Sequence, residues 1–193
     1  MTPMIRDLSR QLAAAARLLL VLTVLLGVLY PAAVWAVGRA VPDRADGSLV
    51  EADGTAVGSR LLGQAFEGDQ WFQSRPSAVD HDGLGSAPSN LGPSNEDLVA
   101  AIDERRATVA EREGVDPDQV PADALTASAS GLDPHISPEY AALQVPRVAR
   151  ERGLPEDEVR ELVRDATSGR DLGFLGEPTV NVLELNASLE QAD

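Results

Sequence analysis

The run from Leu18 to Val37, LLLVLTVLLGVLYPAAVWAV, is twenty residues long and carries no charge. As a helix rising 1.5 Å per residue it spans roughly 30 Å, the thickness of a bilayer's hydrocarbon core. Arg6, Arg10 and Arg17 precede it, and Arg39 and Arg44 follow. Tyr30 and Trp35 fall toward its far end, where amphipathic rings favour the lipid–water boundary. Pro31 would break a water-exposed helix, but in a membrane neighbouring groups can satisfy the carbonyl it frees. The stretch therefore reads as a transmembrane helix at 18–37, with 1–17 as a cytoplasmic N-terminus. A cleaved secretory signal is the alternative, with Leu18–Leu29 as its apolar region and Val34-Trp35-Ala36 at the cleavage site. The apolar run continuing to Val37, and the bulky Trp35, favour the retained anchor. On either reading the Arg-bearing flank stays inside, and residues 38–193 form an extracytoplasmic soluble domain.

That domain is long enough for one compact core. Aromatics make up only 4% of the chain, so the core must be built mostly from Leu, Val and Ala. There is no Cys, which excludes disulfides, thiolate chemistry and Cys-ligated metals. Residues 38–193 carry 13 Arg against 30 Asp plus Glu, a formal side-chain charge of −17. Such a surface does not suit nucleic acid or anionic lipid, though it concentrates cations nearby. All sixteen basic residues are Arg. Without Lys there is no Schiff-base lysine and no phosphate-loop lysine.

Leu49-Val50 and Ala56-Val57 suggest two short strands around an Asp53-Gly54 hairpin turn. Leu61, Leu62 and Phe66 are core candidates, and Trp71 with Phe72 are the expected aromatic anchors. Residues 79–95 form a long loop rich in Gly, Pro, Ser and Asn. Within it, Asp80-His81-Asp82 reads as a solvated turn in preference to a metal cluster, which would need partners elsewhere. Ser94, with Asp97 three residues on, caps a helix carrying Leu98, Ala101, Ile102, Arg105 and Val109 and stopping at Gly114. Ser137 before Pro138 opens a helix to Arg152, which Pro146 should kink or divide and Gly153 should end. Another helix opens at Pro155, with Val159, Leu162, Val163 and Ala166 as its apolar stripe. The β-branched run at 178–186 reads as the best strand in the chain. The fold class is α+β: one N-terminal transmembrane helix, then a single soluble domain with about three helices and a small sheet.

No G-x-x-x-x-G-K-[ST], G-x-S-x-G or H-E-x-x-H motif occurs, so the common nucleotide-binding, hydrolase and zinc-protease signatures are missing. Ser128, Ser130 and Gly131 could present hydroxyls and backbone N–H groups to a phosphate or acidic partner. Gln144, Arg147 and Arg150 follow on a helix, with Arg suited to oxyanions. A tight turn at Ser130–Pro134, with the Arg residues paired to nearby acids, is the plainer alternative.

GSRLLGQAF (58–66), WFQSRPSA (71–78), PSNLGPSN (88–95), TASASGLDPHIS (126–137), QVPRVARERGL (144–154) and LGEPTVNVLELN (175–186) occur in that order. Together they resemble the C subunit of the bacterial Kdp potassium-transporting P-type ATPase, from the Tyr30-Pro31 and Trp35 of the anchor onward. The resemblance implies a membrane complex for high-affinity potassium import. Its other parts are a channel-like potassium-translocating subunit, a P-type ATP-hydrolysing subunit and a very small fourth subunit. It implies a non-catalytic accessory role, stabilising assembly and raising the ATPase subunit's affinity for ATP. No intrinsic cofactor or metal is expected, and ATP is possible through the complex. Ser128, Ser130, Gly131, Asp133, His135, Gln144 and Arg147 are the residues marked for nucleotide or partner contact. An anchored enzyme or binding protein acting alone is the competing class.

Overall fold

A computed structural model describes residues 3–52 and 54–192 and divides them into two compact units, separated at Gly47/Ser48. Asp53, at the tip of the expected hairpin, lies outside the described residues.

The first unit is one long helix: α1 (Pro3–Val24), a π-helical segment at Leu25–Leu29, and α2 (Tyr30–Gly38). Its apolar stretch, Arg6–Gly38, is long enough to cross a membrane, and every side chain from Arg6 to Val37 is exposed. The helix starts well before Leu18 because Leu8, Leu12 and the run Ala13–Ala16 are strong helix formers. A short α3 (Pro42–Ala45) follows.

The second unit begins with an antiparallel hairpin, β1 (Leu49–Ala52) and β2 (Thr55–Ser59), paired Leu49 to Ser59 and Ala52 to Thr55. Gly54 has φ +74°, which the tight turn requires. The chain then runs from Arg60 to Asn95 without a regular element. Leu61 and Leu62 fall in the turn where Leu62 N–H reaches Ser59 O (3.1 Å), and both are exposed; they are not core residues. Phe72 is fully buried, whereas Trp71 is only partly so.

Helix α4 (Glu96–Glu113) is capped by Asn95, not Ser94. The Asn95 carboxamide oxygen accepts from the N–H groups of Asp97 and Leu98 (2.8 and 3.3 Å), and Asn caps as well as Ser does. Gly114, at φ +69°, ends the helix in the left-handed conformation. A short α5 (Ala122–Leu125) leads to β3 (His135–Ile136).

Helix α6 (Pro138–Arg152) is capped by Ser137, whose hydroxyl accepts from Tyr140 N–H (3.0 Å), and stopped by Gly153. It runs unbroken through Pro146. Pro146 and the Ala142 carbonyl it leaves without a donor lie on the exposed side, where water can replace the missing bond. Then come α7 (Glu156–Asp165), β4 (Thr167–Ser168), β5 (Thr179–Asn181) and α8 (Val182–Glu190).

The expected strand over 178–186 survives only as β5. Asn181 caps helix α8, its side chain accepting from Glu184 N–H (3.2 Å), and Val182, Leu185, Asn186 and Leu189 share one buried helical face. β5 is the middle of a three-stranded antiparallel sheet in the order β3-β5-β4. The core between this sheet and helices α4, α6, α7 and α8 is aliphatic, with Phe72 and Tyr140 its buried aromatics among the described residues.

Candidate functional site

The irregular segment around Trp71 is held in place like a strand, but by side chains. The Asn186 carboxamide accepts from Phe72 N–H (2.9 Å) and donates to Phe72 O (3.0 Å). Gln144 does the same for Gln73, accepting from its N–H (2.7 Å) and donating to its O (3.2 Å). Two amide side chains, one from α8 and one from α6, thus supply the bonding a neighbouring strand would give. Arg147 completes the arrangement: its guanidinium donates to the carbonyls of Asp69 and of Trp71 (3.0 Å for the latter) and to Gln144 Oε1 (2.9 Å). Its Nε lies 3.0 Å from both carboxylate oxygens of Glu113 on α4. Both partners of that ion pair are 1% exposed. Burial pushes the Glu113 carboxyl above its ordinary value, and Arg147 and Arg112 offset that only in part. At the outer edge, Arg152 donates to Gln70 O (3.1 Å) and lies 4.2 Å above the Trp71 ring.

Gln144 and Arg147 are therefore buried staples, apart from the other marked residues. Ser128, Ser130, Gly131, Asp133 and His135 do come together, in the turns before and at β3. The Ser128 hydroxyl accepts from Asp133 N–H (3.5 Å) and the Ser130 hydroxyl from Leu132 N–H (3.1 Å). Gly131 N–H donates to Ser128 O (3.2 Å), and His135 N–H to Asp133 Oδ1 (3.0 Å). The N–H groups of Gly131, Leu132, Asp133 and His135 are thus bonded within the turn, and Ser128 N–H donates to Pro76 O (3.3 Å). Gly131 is required here: it has φ +69°, and a Cβ would come within 2.5 Å of Val79 and 2.9 Å of the Ala87 carbonyl. Ser77 ties the loop across by donating to Gly131 O (2.7 Å) while accepting from Val79 and His81 N–H. Asp80 and His81 have positive φ (51° and 57°), consistent with the expected turn.

Beside this turn is an open depression of about 780 Å³, lined by Leu61 and Leu62 on one side and Ser128, Ser130 and Asp133 on the other. Arg75 forms part of its wall, donating to Asp133 Oδ2 (3.0 Å) and Thr126 O (3.3 Å). The Arg75 Nε is buried with no hydrogen-bond partner among the described residues. Sequence reasoning missed Arg75, Asn186 and Glu113, although Arg75 and Asn186 lie inside the quoted WFQSRPSA and LGEPTVNVLELN blocks.

Burial alone would raise the Asp133 carboxyl. The His135 ring and backbone N–H, with Arg75, more than offset this and hold it below its usual value. A carboxylate with a depressed native pKa stabilises the fold fully above its unfolded value of about 3.9, and that contribution is lost as pH falls through the native value. Acid melting curves of the full chain in detergent should therefore fall less steeply below about pH 4 in Asp133→Asn than in the parent. Parallel curves would show that Asp133 contributes nothing to acid sensitivity.

The comparisons with known proteins cover most of the long apolar helix and the domain together. Residues 12–191 match the family model KdpC, described as "K+-transporting ATPase, c chain". A protein of Kineococcus radiotolerans, named "Potassium-transporting ATPase KdpC subunit", is 59% identical over 188 residues, 96% of each chain. Proteins of the same name from Sorangium cellulosum (54% identical, 91% of this chain and 94% of the relative) and Mycobacterium tuberculosis (46%, 94% and 98%) align similarly. On the family match and the relatives alike, the chain belongs to the KdpC family, the c chain of K⁺-transporting ATPases.

Proposed function

We propose that the chain acts as a non-catalytic accessory subunit of an ATP-driven potassium-import complex. Its fellow subunits would be a channel-like potassium-translocating subunit, a P-type ATP-hydrolysing subunit and a very small fourth one. The observation that carries this reading is the reach of the family match, which takes in the exposed apolar helix as well as the domain. A bilayer-length helix with no buried residue needs lipid or other helices to cover it. The three Arg before the span against the two after it favour a domain outside the cytoplasm.

The chain is read as having no hydrolytic centre and no direct ATP contact. It has no Lys, the N–H groups of Gly131, Leu132, Asp133 and His135 are already bonded within their turn, and Gln144 and Arg147 are sealed in the core. Any effect on ATP use would then pass through the partners. The −17 domain would gather cations near the transport path, with selectivity left to a partner.

The test is co-expression of the full chain with the remaining subunits, one of them tagged. The chain should co-purify from detergent-solubilised membranes, while the full chain purified alone hydrolyses no ATP. Protease added to intact spheroplasts should cut the domain. A chain that fails to co-purify, turns over ATP by itself, or is protected in spheroplasts refutes the corresponding part.

A further inference from the structure

The segment between β4 and β5 is built differently from the domain's other loops. Its tip carries Leu172, Phe174 and Leu175, which are 83%, 69% and 50% exposed. A loop that only connects two strands has no need of three large apolar side chains in water. The tip is also rigidly shaped. Leu175 N–H donates to Asp171 O (2.9 Å) and Gly173 N–H to Arg170 O (3.1 Å), and Asp171 and Leu175 form an isolated antiparallel bridge. At its base Arg170 pairs with Glu177 (2.5 Å). Leu172 is held at φ +53°, a left-handed conformation that disfavours any residue with a Cβ. The shape therefore presents these side chains outward at a cost to the loop itself.

The position and charge of the tip narrow what could cover it. β4 and β5 pair Ser168 to Thr179, so the tip extends from the N-terminal end of β5. Ser48, where the chain enters the domain, accepts from Arg60 N–H at its carbonyl, and Arg60 O accepts from Asn181 at the opposite end of β5. The tip thus lies at the other end of β5 from Ser48. On the loop, Arg170 is neutralised by Glu177, which leaves Asp171 as its net charge. The domain behind it carries −17. An anionic lipid surface or a second copy of the domain would be repelled, whereas a protein surface with basic residues around an apolar hollow would be attracted.

We propose that the Leu172–Leu175 tip is a plug that seats in an apolar, basic-rimmed socket on another subunit of the potassium-transporting complex. The plug rests on the accessory-subunit reading of the chain. A preshaped plug enters such a socket without first being ordered, so its apolar side chains contribute their burial directly to holding the subunit in place.

The experiment uses the full chain, co-expressed with the other subunits and purified through a tag on one of them. Its readout is the rate at which the chain leaves the purified complex on dilution in detergent. Leu172→Ser with Phe174→Ser should speed release about tenfold or more, because truncating anchor residues acts mainly on dissociation. The melting temperature of the full chain should not change, since both side chains are exposed. Phe174→Leu should retain most of the parent's residence time. The plug is refuted if the double variant, folded as the parent, leaves at the parent's rate. It is also refuted if the tip is needed instead for binding of the full chain to phosphatidylcholine–phosphatidylglycerol vesicles, or for its self-association. If the parent chain never co-purifies, the accessory-subunit reading fails and the plug fails with it.

Discussion

Replacing Arg147 by Met should cost the domain about 3–5 kcal/mol, the range found when one partner of a buried ion pair is removed. Three losses combine. Glu113, its side chain 1% exposed, would lose its ion-pair partner, and the carbonyls of Asp69 and Trp71 would lose the donor that Arg147 gives them. Domains of this size are commonly stable by only about 5–15 kcal/mol, so such a loss removes a large share of the total. Urea unfolding of the full chain in detergent, followed by Trp fluorescence, measures it; Trp71 lies against the affected segment and Trp35 in the anchor. Adding Glu113→Leu to Arg147→Met should restore part of the loss by removing the stranded carboxylate. Recovery should stay incomplete, because the two carbonyls still lack their donor. An Arg147→Met chain as stable as the parent would contradict the buried ion-pair geometry.

Leu25→Arg should have the second large effect, on the membrane helix. Leu25 falls near the middle of the 18–37 span, and a charge there costs roughly 2.5–3.5 kcal/mol on insertion scales. That shifts the insertion equilibrium by roughly a hundredfold. Alkaline extraction of membranes should then release most of the variant while the parent stays in the pellet. Equal retention of both chains would mean that this helix is not what holds the protein in the bilayer.

Much of this fold can be read from the residues because its helices have strong local signals. Ser137-Pro138 at the start of α6, Gly114 and Gly153 as stops, and the stripe of Val159 and Val163 in α7 act within one or two turns of chain. At 178–186 the β-branched propensity misleads because capping overrides it. Thr179 and Val180 are strand residues, but Asn181 begins a helix whose buried positions recur at helical spacing. Leu61 and Leu62 mislead because hydrophobicity alone does not tell a core from an exposed turn. The staples are invisible for a different reason. Gln144 and Asn186 bond to backbone 71 and 114 positions away, and no local pattern distinguishes a buried amide or Arg from a surface one. In the candidate turn the residue types are legible, but not that the N–H groups of Gly131, Leu132, Asp133 and His135 are already bonded within it.

The π-helical segment at Leu25–Leu29 has a consequence for how the anchor can meet its neighbours. There the Tyr30 N–H bonds to Leu25 O, five residues back, just before Pro31, whose ring would otherwise crowd the carbonyl of Gly27. One wide turn inserts the equivalent of a single extra residue, so the side-chain rows above and below it are out of phase by about 100°. A straight partner helix lying along Leu18, Leu22 and Leu25 would not meet the continuation of that row beyond Tyr30. The helix therefore offers two separate faces, one on each side of the wide turn, and Pro31 leaves between them one backbone carbonyl without its helical N–H donor.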